Sequence, residues 1–111
     1  MNRSLVRVTR SLILACAVVF LVSMSARADD SATLFKSKCS VCHGPDGKGD
    51  TAMGKKLGAH DFSAPDIQKL SDADLAAIIA KGKNKMPAYE KTLTADQIKG
   101  LVTYIRSLAK K

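Results

Sequence analysis

Three segments of the chain space their apolar residues as amphipathic helices do. The first spans Ser31–Val41 and opens with a serine that is its predicted N-cap. The second follows Ser71, whose side chain can cap it, and ends at Gly82. The third follows Thr94, which forms a predicted capping box with Gln97, and it has the strongest apolar stripe. That stripe consists of Ile98, Leu101, Val102, Ile105 and Leu108.

The segments between these helices show no lasting period. Residues 44–66 contain several glycine turns and predict a loop of more than 20 residues, and residues 82–93 predict a second loop. A loop as long as the first is uncommon in a compact domain unless it surrounds something functional. No segment has the composition and alternation of a strand. The prediction is an all-α fold of three or four helices joined by long loops.

The first 28 residues have the order of a secretory signal peptide. Three arginines precede an apolar run of eleven residues, Leu12–Val22, and a small-x-small pattern ends at Ala28. We expect cleavage after Ala28, which leaves residues 29–111 as one mature domain. An uncleaved membrane anchor is disfavoured because the run is well short of about 18 residues. A lipid anchor on Cys16 is disfavoured because this residue lies in the middle of the run.

Removal of the signal peptide halves the net charge of the chain. The mature domain keeps 14 of the 18 lysines and arginines and all 10 acidic residues, so its net charge is +4 instead of +8. The mature sequence contains no basic run with interleaved aromatics, the pattern that would suggest binding to nucleic acid.

A domain of 83 residues without tryptophan is marginal for a stable core. Small domains of this kind usually need a staple, so the composition predicts a buried prosthetic group.

Cys39, Cys42 and His43 form a C-x-x-C-H sequence, which is typical of c-type haem attachment. Two thiols, separated by two residues on one helical turn, can add to the two vinyl groups of a haem as thioethers. The histidine that follows can then offer a ring nitrogen to the iron. An export signal strengthens this prediction, because covalent haem is attached outside the cytoplasm.

Three alternatives for the same residues explain less. A thioredoxin-like dithiol expects a βαβ pattern, and none is present. A zinc site needs four ligands, which His60 could complete, but zinc would leave the apolar stripes with little to pack on. A disulfide between Cys39 and Cys42 is possible in an exported protein, but it closes a very short loop and would stabilise the domain little.

With these features in order, the mature region resembles the small class I c-type cytochromes throughout its length. The resemblance implies a cytochrome c-like fold around one covalently bound haem c. Phe35, four residues before Cys39, matches the aromatic that this family places where the first and last helices cross. Leu101 and Tyr104 match its partner positions on the last helix. The resemblance implies that these three residues close one side of the haem pocket.

The resemblance also implies a methionine as the second axial ligand of the iron. Met86 precedes Pro87 in the loop between the last two helices, where the family carries that ligand. Met53 and His60 are the alternatives. Met53 is close to His43 in sequence, whereas the neighbours of His60 predict an exposed turn. Around the site we expect a backbone carbonyl, in a turn shaped by Pro45, to accept a hydrogen bond from the His43 ring.

His/Met ligation leaves no open position on the iron, so these features predict an electron carrier and no enzyme. We expect a monomeric periplasmic protein that exchanges electrons with membrane-bound or soluble oxidoreductases and has no small-molecule substrate. Alternatives are an electron-entry subunit of a larger dehydrogenase or oxidase and, less favoured, a peroxidase or gas sensor.

Two polar groups of the Met86 loop and a set of lysines are further candidates for a role. Asn84 or Tyr89 could donate a hydrogen bond to the Met86 sulfur or to a haem propionate. A rim of lysines predicts acidic partners: Lys48, Lys55, Lys56, Lys81, Lys83, Lys85 and Lys91.

Overall fold

The computed structural model describes Cys16 and residues 27–110, and residues 27–110 contain six helical segments. They are α1 (residues 27–38), α2 (Ser40–His43), α3 (Ala52–Leu57), α4 (Pro65–Gln68), α5 (Asp72–Lys81) and α6 (Ala95–Ala109). The described residues form no strand beyond one isolated bridge between Lys83 and Met86, so the predicted all-α class is confirmed. Most of the predicted signal peptide lies outside the described residues.

Two of the long helices begin where their capping residues predict. The Ser71 hydroxyl accepts a hydrogen bond from the Asp74 amide at 3.0 Å, and the Asp74 carboxylate accepts one from the Ser71 amide. Thr94 and Gln97 make the same reciprocal pair at the start of α6. Each box satisfies two amides that a helix start leaves without partners. Gly82 ends α5 with φ 76° and ψ 168°, a backbone conformation that glycine adopts readily because it has no β-carbon.

The predicted start of the first helix is wrong. Ser31 does not cap a helix, because residues 27–30 are already helical and its hydroxyl donates to the carbonyl oxygen of Arg27 at 3.0 Å. Ser31 is buried, with 7% of its surface exposed, and faces Gly100 of α6. A β-carbon at Gly100 would lie 2.5 Å from the Ser31 hydroxyl oxygen. The backbones of α1 and α6 cross closely at this point, so only small residues fit at positions 31 and 100.

The core forms where α1 and α5 pack against α6. Phe35 and Leu101 are each only 1% exposed, and the Phe35 ring lies 5.2 Å from the Tyr104 ring between centroids. All five residues of the predicted α6 stripe are buried, which confirms that stripe. Arg106 of α6 adds a polar link, since its guanidinium donates to the Asp72 carboxylate at 3.0 Å and to the Leu70 carbonyl at 2.5 Å. These contacts fix α6 against the start of α5.

The long loop predicted over residues 44–66 contains all of α3 and the start of α4. Thr51 caps α3 by accepting a hydrogen bond from the Gly54 amide at 2.8 Å, and Gly58 ends the helix at φ 74°. Pro65 occupies the first turn of α4, where its fixed φ suits a helix start. Both helices are too short to show an apolar period, which is why the sequence pattern predicts only loop. Within residues 27–110, no helix is long and apolar enough to cross a bilayer.

Candidate functional site

The residues of the C-x-x-C-H sequence lie on one tight helical turn. Cys39 stands at the start of α2, and its carbonyl oxygen accepts hydrogen bonds from the amides of Cys42 at 3.2 Å and His43 at 3.0 Å. Both thiols are free and half-buried, so the disulfide alternative is not what the structure has. Burial raises the pKa of the Cys39 thiol, and the nearby Lys38 charge partly opposes this. The turn thus presents two unoxidised thiols beside one imidazole.

Thr51, which the sequence reasoning did not single out, holds this turn in place. Its hydroxyl contacts the carbonyl oxygens of Val41 at 2.9 Å and Cys42 at 3.0 Å, while it also accepts the Gly54 amide. A single side chain therefore caps α3 and satisfies carbonyls at the end of α2. A β-carbon at Gly54 would collide with the Cys42 carbonyl oxygen. The glycine is what lets α3 approach the attachment turn so closely.

The His43 ring is held by an aromatic contact. It stacks on Phe62, with ring centroids 4.8 Å apart and an angle of 29° between the planes. The predicted backbone partner for the ring is not found, because the buried Nδ1 atom has no hydrogen-bond partner among the described residues. Burial, with a smaller effect of His60, lowers the pKa of His43 and so favours the neutral imidazole that can bind a metal.

Met86 differs from the two alternative ligands in the direction it faces. Met86 is half-buried and packs against the hydrophobic core, in a turn closed by reciprocal amide–carbonyl hydrogen bonds with Lys83. Met53 lies on α3 and is 43% exposed. His60 is exposed too, with its Nδ1 atom 3.8 Å from the Asp66 carboxylate. The structure therefore places one of the three candidates against the core.

Tyr89 links the Met86 loop to the attachment turn. Its hydroxyl donates to the carbonyl oxygen of Lys38, the residue before Cys39, at 3.4 Å. Burial raises the pKa of Tyr89, and the two cysteine thiols add to the increase. The hydrogen bond that the structure gives this hydroxyl is to the backbone, and the predicted contacts with the methionine sulfur or a propionate stay predictions. Two segments 51 residues apart in sequence thus meet at the site.

The three residues predicted to close one side of the haem pocket pack together, and a fourth residue joins them. The structure brings Phe35, Leu101 and Tyr104 together in the core. Phe62 joins them, with its ring 6.0 Å from the Phe35 ring in an edge-on arrangement. Its only signal in the sequence is that it is one of four aromatic residues in a domain with little bulk, and no period assigns it to a face.

The donor set fits a covalently attached haem and does not fit zinc. Two free thiols and an imidazole lie on one helical turn. A thioether on the Met86 loop lies against the same core. By contrast, the part of the chain that the structure describes holds no cluster of three or more histidine, cysteine or acidic side chains arranged for a metal ion. The zinc alternative therefore fails, because exposed His60 does not join the other three residues.

A surface cleft of about 460 Å³ lies beside this site and does not contain its thiols or imidazole. Phe62 and Tyr104 form part of its wall, together with Leu108 of α6 and the loop at Pro45. Pro45 thus lines a cleft and does not supply a partner to the His43 ring. Since Phe62 lies both in the wall of the cleft and on the imidazole, it stands between them.

The comparisons with known proteins agree on one family. Residues 26–105 match the family model described as cytochrome c oxidase, cbb3-type, subunit III. The chain is 38% identical over 109 residues to the cytochrome c6 of Rippkaea orientalis (strain PCC 8801 / RF-1), which covers 89% of this chain and 91% of that protein. It is 30% identical over 97 residues to the cbb3-type cytochrome c oxidase subunit CcoP of Azospirillum brasilense, covering 80% of this chain but 33% of that protein. The solved structure of the KustC0563 c-type cytochrome superposes with a TM-score of 0.65 and 32% identity, over 70% of this chain and 95% of that one.

Proposed function

The chain belongs to the c-type cytochromes, and on that premise we propose which of its residues hold the haem and where it works. Like the members of this family, it carries covalently bound haem c and functions as an electron carrier, not as an enzyme. In this proposal Cys39 and Cys42 would hold the haem through two thioether bonds, and His43 and Met86 would supply the two protein ligands of its iron. When bound, the haem supplies an iron that changes between the ferric and ferrous states and so takes up or releases one electron.

The residues around the site favour electron transfer over chemistry on a substrate. With His43 and Met86 both coordinated, the protein leaves no ligand position for a substrate. A thioether is a soft, neutral donor that favours the ferrous state and raises the reduction potential. Phe35, Leu101 and Tyr104 pack on one side and keep water from the site, which disfavours the additional charge of the ferric state. The expected result is a single-electron carrier of raised potential.

The observation that carries this proposal is the placement of Met86. Among the three candidates for the second axial ligand, this one packs on the core. Tyr89, three residues later, reaches the residue before Cys39. The loop that carries the thioether and the turn that carries the imidazole are therefore neighbours, as two ligands of one iron must be.

The first experiment removes each candidate ligand in turn. Purified holoprotein should keep its haem in acid–acetone, and the ferric form should show the near-infrared charge-transfer band of methionine–iron ligation. Met86→Ala should abolish that band and lower the reduction potential, because the soft donor is lost. Met53→Ala and His60→Ala are the matched controls and should leave both unchanged. Haem in the acetone layer, or a band that survives in Met86→Ala, would refute the assignment.

We also propose that residues 1–28 are a cleaved secretory signal and that the mature protein is periplasmic. The support is the ordered pattern of arginines, apolar run and small residues in the sequence. A chain that begins at Asp29 in protein purified from the periplasmic fraction would support the proposal. A retained N-terminal segment in the membrane fraction would exclude it.

The proposed docking surface for redox partners is the lysine rim defined above. All seven of its lysines are exposed, and Lys55 forms an ion pair with Asp50 at 2.9 Å. Exposed charges attract an acidic surface over roughly 10 Å at about 0.1 M salt, and this attraction weakens as salt rises. The rate of electron transfer to an acidic redox protein should therefore fall with increasing ionic strength. A rate independent of salt would remove the rim from the proposal.

A second candidate function is that of an electron-entry subunit bound to a larger oxidase. The matches to cbb3-type oxidase subunits favour it, although the CcoP alignment covers only 33% of that relative. Size-exclusion chromatography of a native extract distinguishes the two. A carrier elutes at the size of a free small protein, whereas a subunit co-elutes with the membrane complex. We favour the free carrier, expected to be a monomer, because the cytochrome c6 alignment covers 91% of its relative.

A further inference from the structure

The orientation of the His43 ring depends on how it is held, because histidine ligands are usually oriented by a hydrogen bond from their second ring nitrogen. In this protein the buried Nδ1 atom has no such partner among the described residues. The contact that the ring does make is its stacked one with Phe62, at 4.8 Å and 29°. A flat neighbour at that distance blocks rotation of the imidazole about its bond to the β-carbon.

Phe62 can act as a support because it is itself immobilised from several sides. Its amide donates to the Gly47 carbonyl at 2.9 Å, and its own carbonyl accepts the Gln68 side-chain amide at 2.5 Å. Its ring is 7% exposed and meets Phe35 edge-on. A β-carbon at Gly47 would lie 2.5 Å from an edge carbon of the Phe62 ring, so the absence of a side chain there makes room for the ring.

The position of Phe62 also decides what reaches the imidazole. The cleft of about 460 Å³ has polar groups in its wall, among them Asp46, Asp61 and Ser63, and it is open to water. The Phe62 ring lies in that wall with His43 stacked on it. Without the aromatic ring, water in the cleft would gain access to the imidazole.

We infer that Phe62 is a positioning residue for the axial ligand His43: its flat ring fixes the rotation of the imidazole and shields it from the cleft, in place of a hydrogen bond. This inference rests on the proposed role of His43 as an iron ligand. Gly47 is part of the same arrangement, because it allows Phe62 to approach. The ring plane of an axial histidine controls how unpaired spin spreads over a ferric haem, so its rotation can be measured directly.

The test compares holoprotein variants by proton NMR of the haem methyl groups in the ferric state, together with the reduction potential. Phe62→Leu keeps an apolar side chain but removes the flat face. It should change the order and spread of the methyl shifts and lower the potential, because the imidazole rotates and water gains access. Phe62→Tyr keeps the ring and should retain the wild-type pattern. Leu108→Ala, which widens the same cleft without removing the stack, is the control for cavity formation.

Gly47→Ala provides an independent arm, since it displaces the Phe62 ring without changing that residue and should reproduce the effect of Phe62→Leu. If Phe62→Leu does not accumulate with haem, the methyl shifts of Gly47→Ala alone test the inference. Wild-type methyl shifts in both Phe62→Leu and Gly47→Ala would overturn the inference. The proposed function is judged separately by the wild-type spectrum, because a protein that lacks the methionine band fails before any variant is compared.

Discussion

The two sides of the haem site, the turn Cys39–His43 and the loop of residues 82–89, are held in place by different means. Hydrogen bonds fix the turn: Thr51 contacts two of its carbonyls, and the Gly49 amide donates to the His43 carbonyl at 2.7 Å. The loop is bonded to α5 only at its two ends, through the amides of Gly82 and Tyr89. Between these ends it has one bonded pair of its own, Lys83 with Met86, and close backbone contacts at Gly82.

The difference follows from what each side has to do. The histidine side must present three groups of defined spacing, so a helical turn with satisfied carbonyls is rigid enough to serve. The methionine side has to bring a single sulfur atom over a pocket, and a loop suffices if its path is restricted. A glycine with positive φ and no space for a side chain restricts that path sterically. The two sides should therefore respond differently to mutation.

Gly82→Ala should have the largest effect and act on the methionine side. The new β-carbon would lie 2.6 Å from the Met86 carbonyl oxygen at a residue whose φ is 76°. Backbone strain and overpacking together should lower the free energy of unfolding by about 3 kcal/mol. The loosened loop should also let added imidazole replace Met86 more readily. Denaturant titration and loss of the near-infrared band during imidazole titration measure the two effects.

Gly58→Ala is the control without close packing: Gly58 has φ 74° like Gly82, but its ψ is 37° instead of 168°, and a β-carbon there would have no neighbour within 4 Å. It should show the backbone strain alone, about 1 kcal/mol, and no change in imidazole binding. Equal effects of the two substitutions would mean that close packing at Gly82 does not hold the Met86 loop.

Thr51→Val should have an intermediate effect and act on the histidine side. The substitution keeps the shape but removes the cap of α3 and the contacts with the Val41 and Cys42 carbonyls. We expect a loss of about 2 kcal/mol in the free energy of unfolding. Thr51→Ser retains the hydroxyl and should recover most of it. Imidazole binding should not change, and a change as large as that of Gly82→Ala would contradict the separation of the two sides.

Tyr89→Phe should have the smallest effect, because it removes one long hydrogen bond between the two sides. At 3.4 Å and partly exposed, the contact with Lys38 should contribute below about 1 kcal/mol. The apparent affinity for imidazole should rise by no more than about fivefold. A much larger change, with a shifted methionine band, would show that the hydroxyl acts on the Met86 sulfur, as the sequence suggested.

Sequence reasoning succeeded where the signal is local. The capping boxes at Ser71 and Thr94 and the stripe of α6 are confirmed, because each depends on residues three or four positions apart on one helix. The prediction of a helix cap failed at Ser31, a small residue that packs against Gly100 of α6. Sequence reasoning also missed α3 and the start of α4, since helices of six and four residues are too short for a period.

At the site, the chemistry was predictable and the supporting contacts were not. The C-x-x-C-H spacing predicts a turn with two thiols and an imidazole whatever surrounds it, and the structure has that turn. The roles of Thr51 and Phe62 could not be predicted, because neither belongs to a motif and each contacts the turn from a distant part of the sequence. The family resemblance already favoured Met86 over Met53 and His60, and the structure adds that Met86 packs against the core.

By itself, the sequence determined the starts of α5 and α6, the attachment turn and the need for a buried group, since short-range hydrogen bonding and composition decide these. Only the tertiary structure decided that Phe62 covers the His43 ring, that Thr51 holds the turn and that Met86 faces inward. Those contacts join residues that the chain must fold to bring together, and they depend on shape and available space. A linear pattern records which residues can make such contacts, while packing selects the pairs that do.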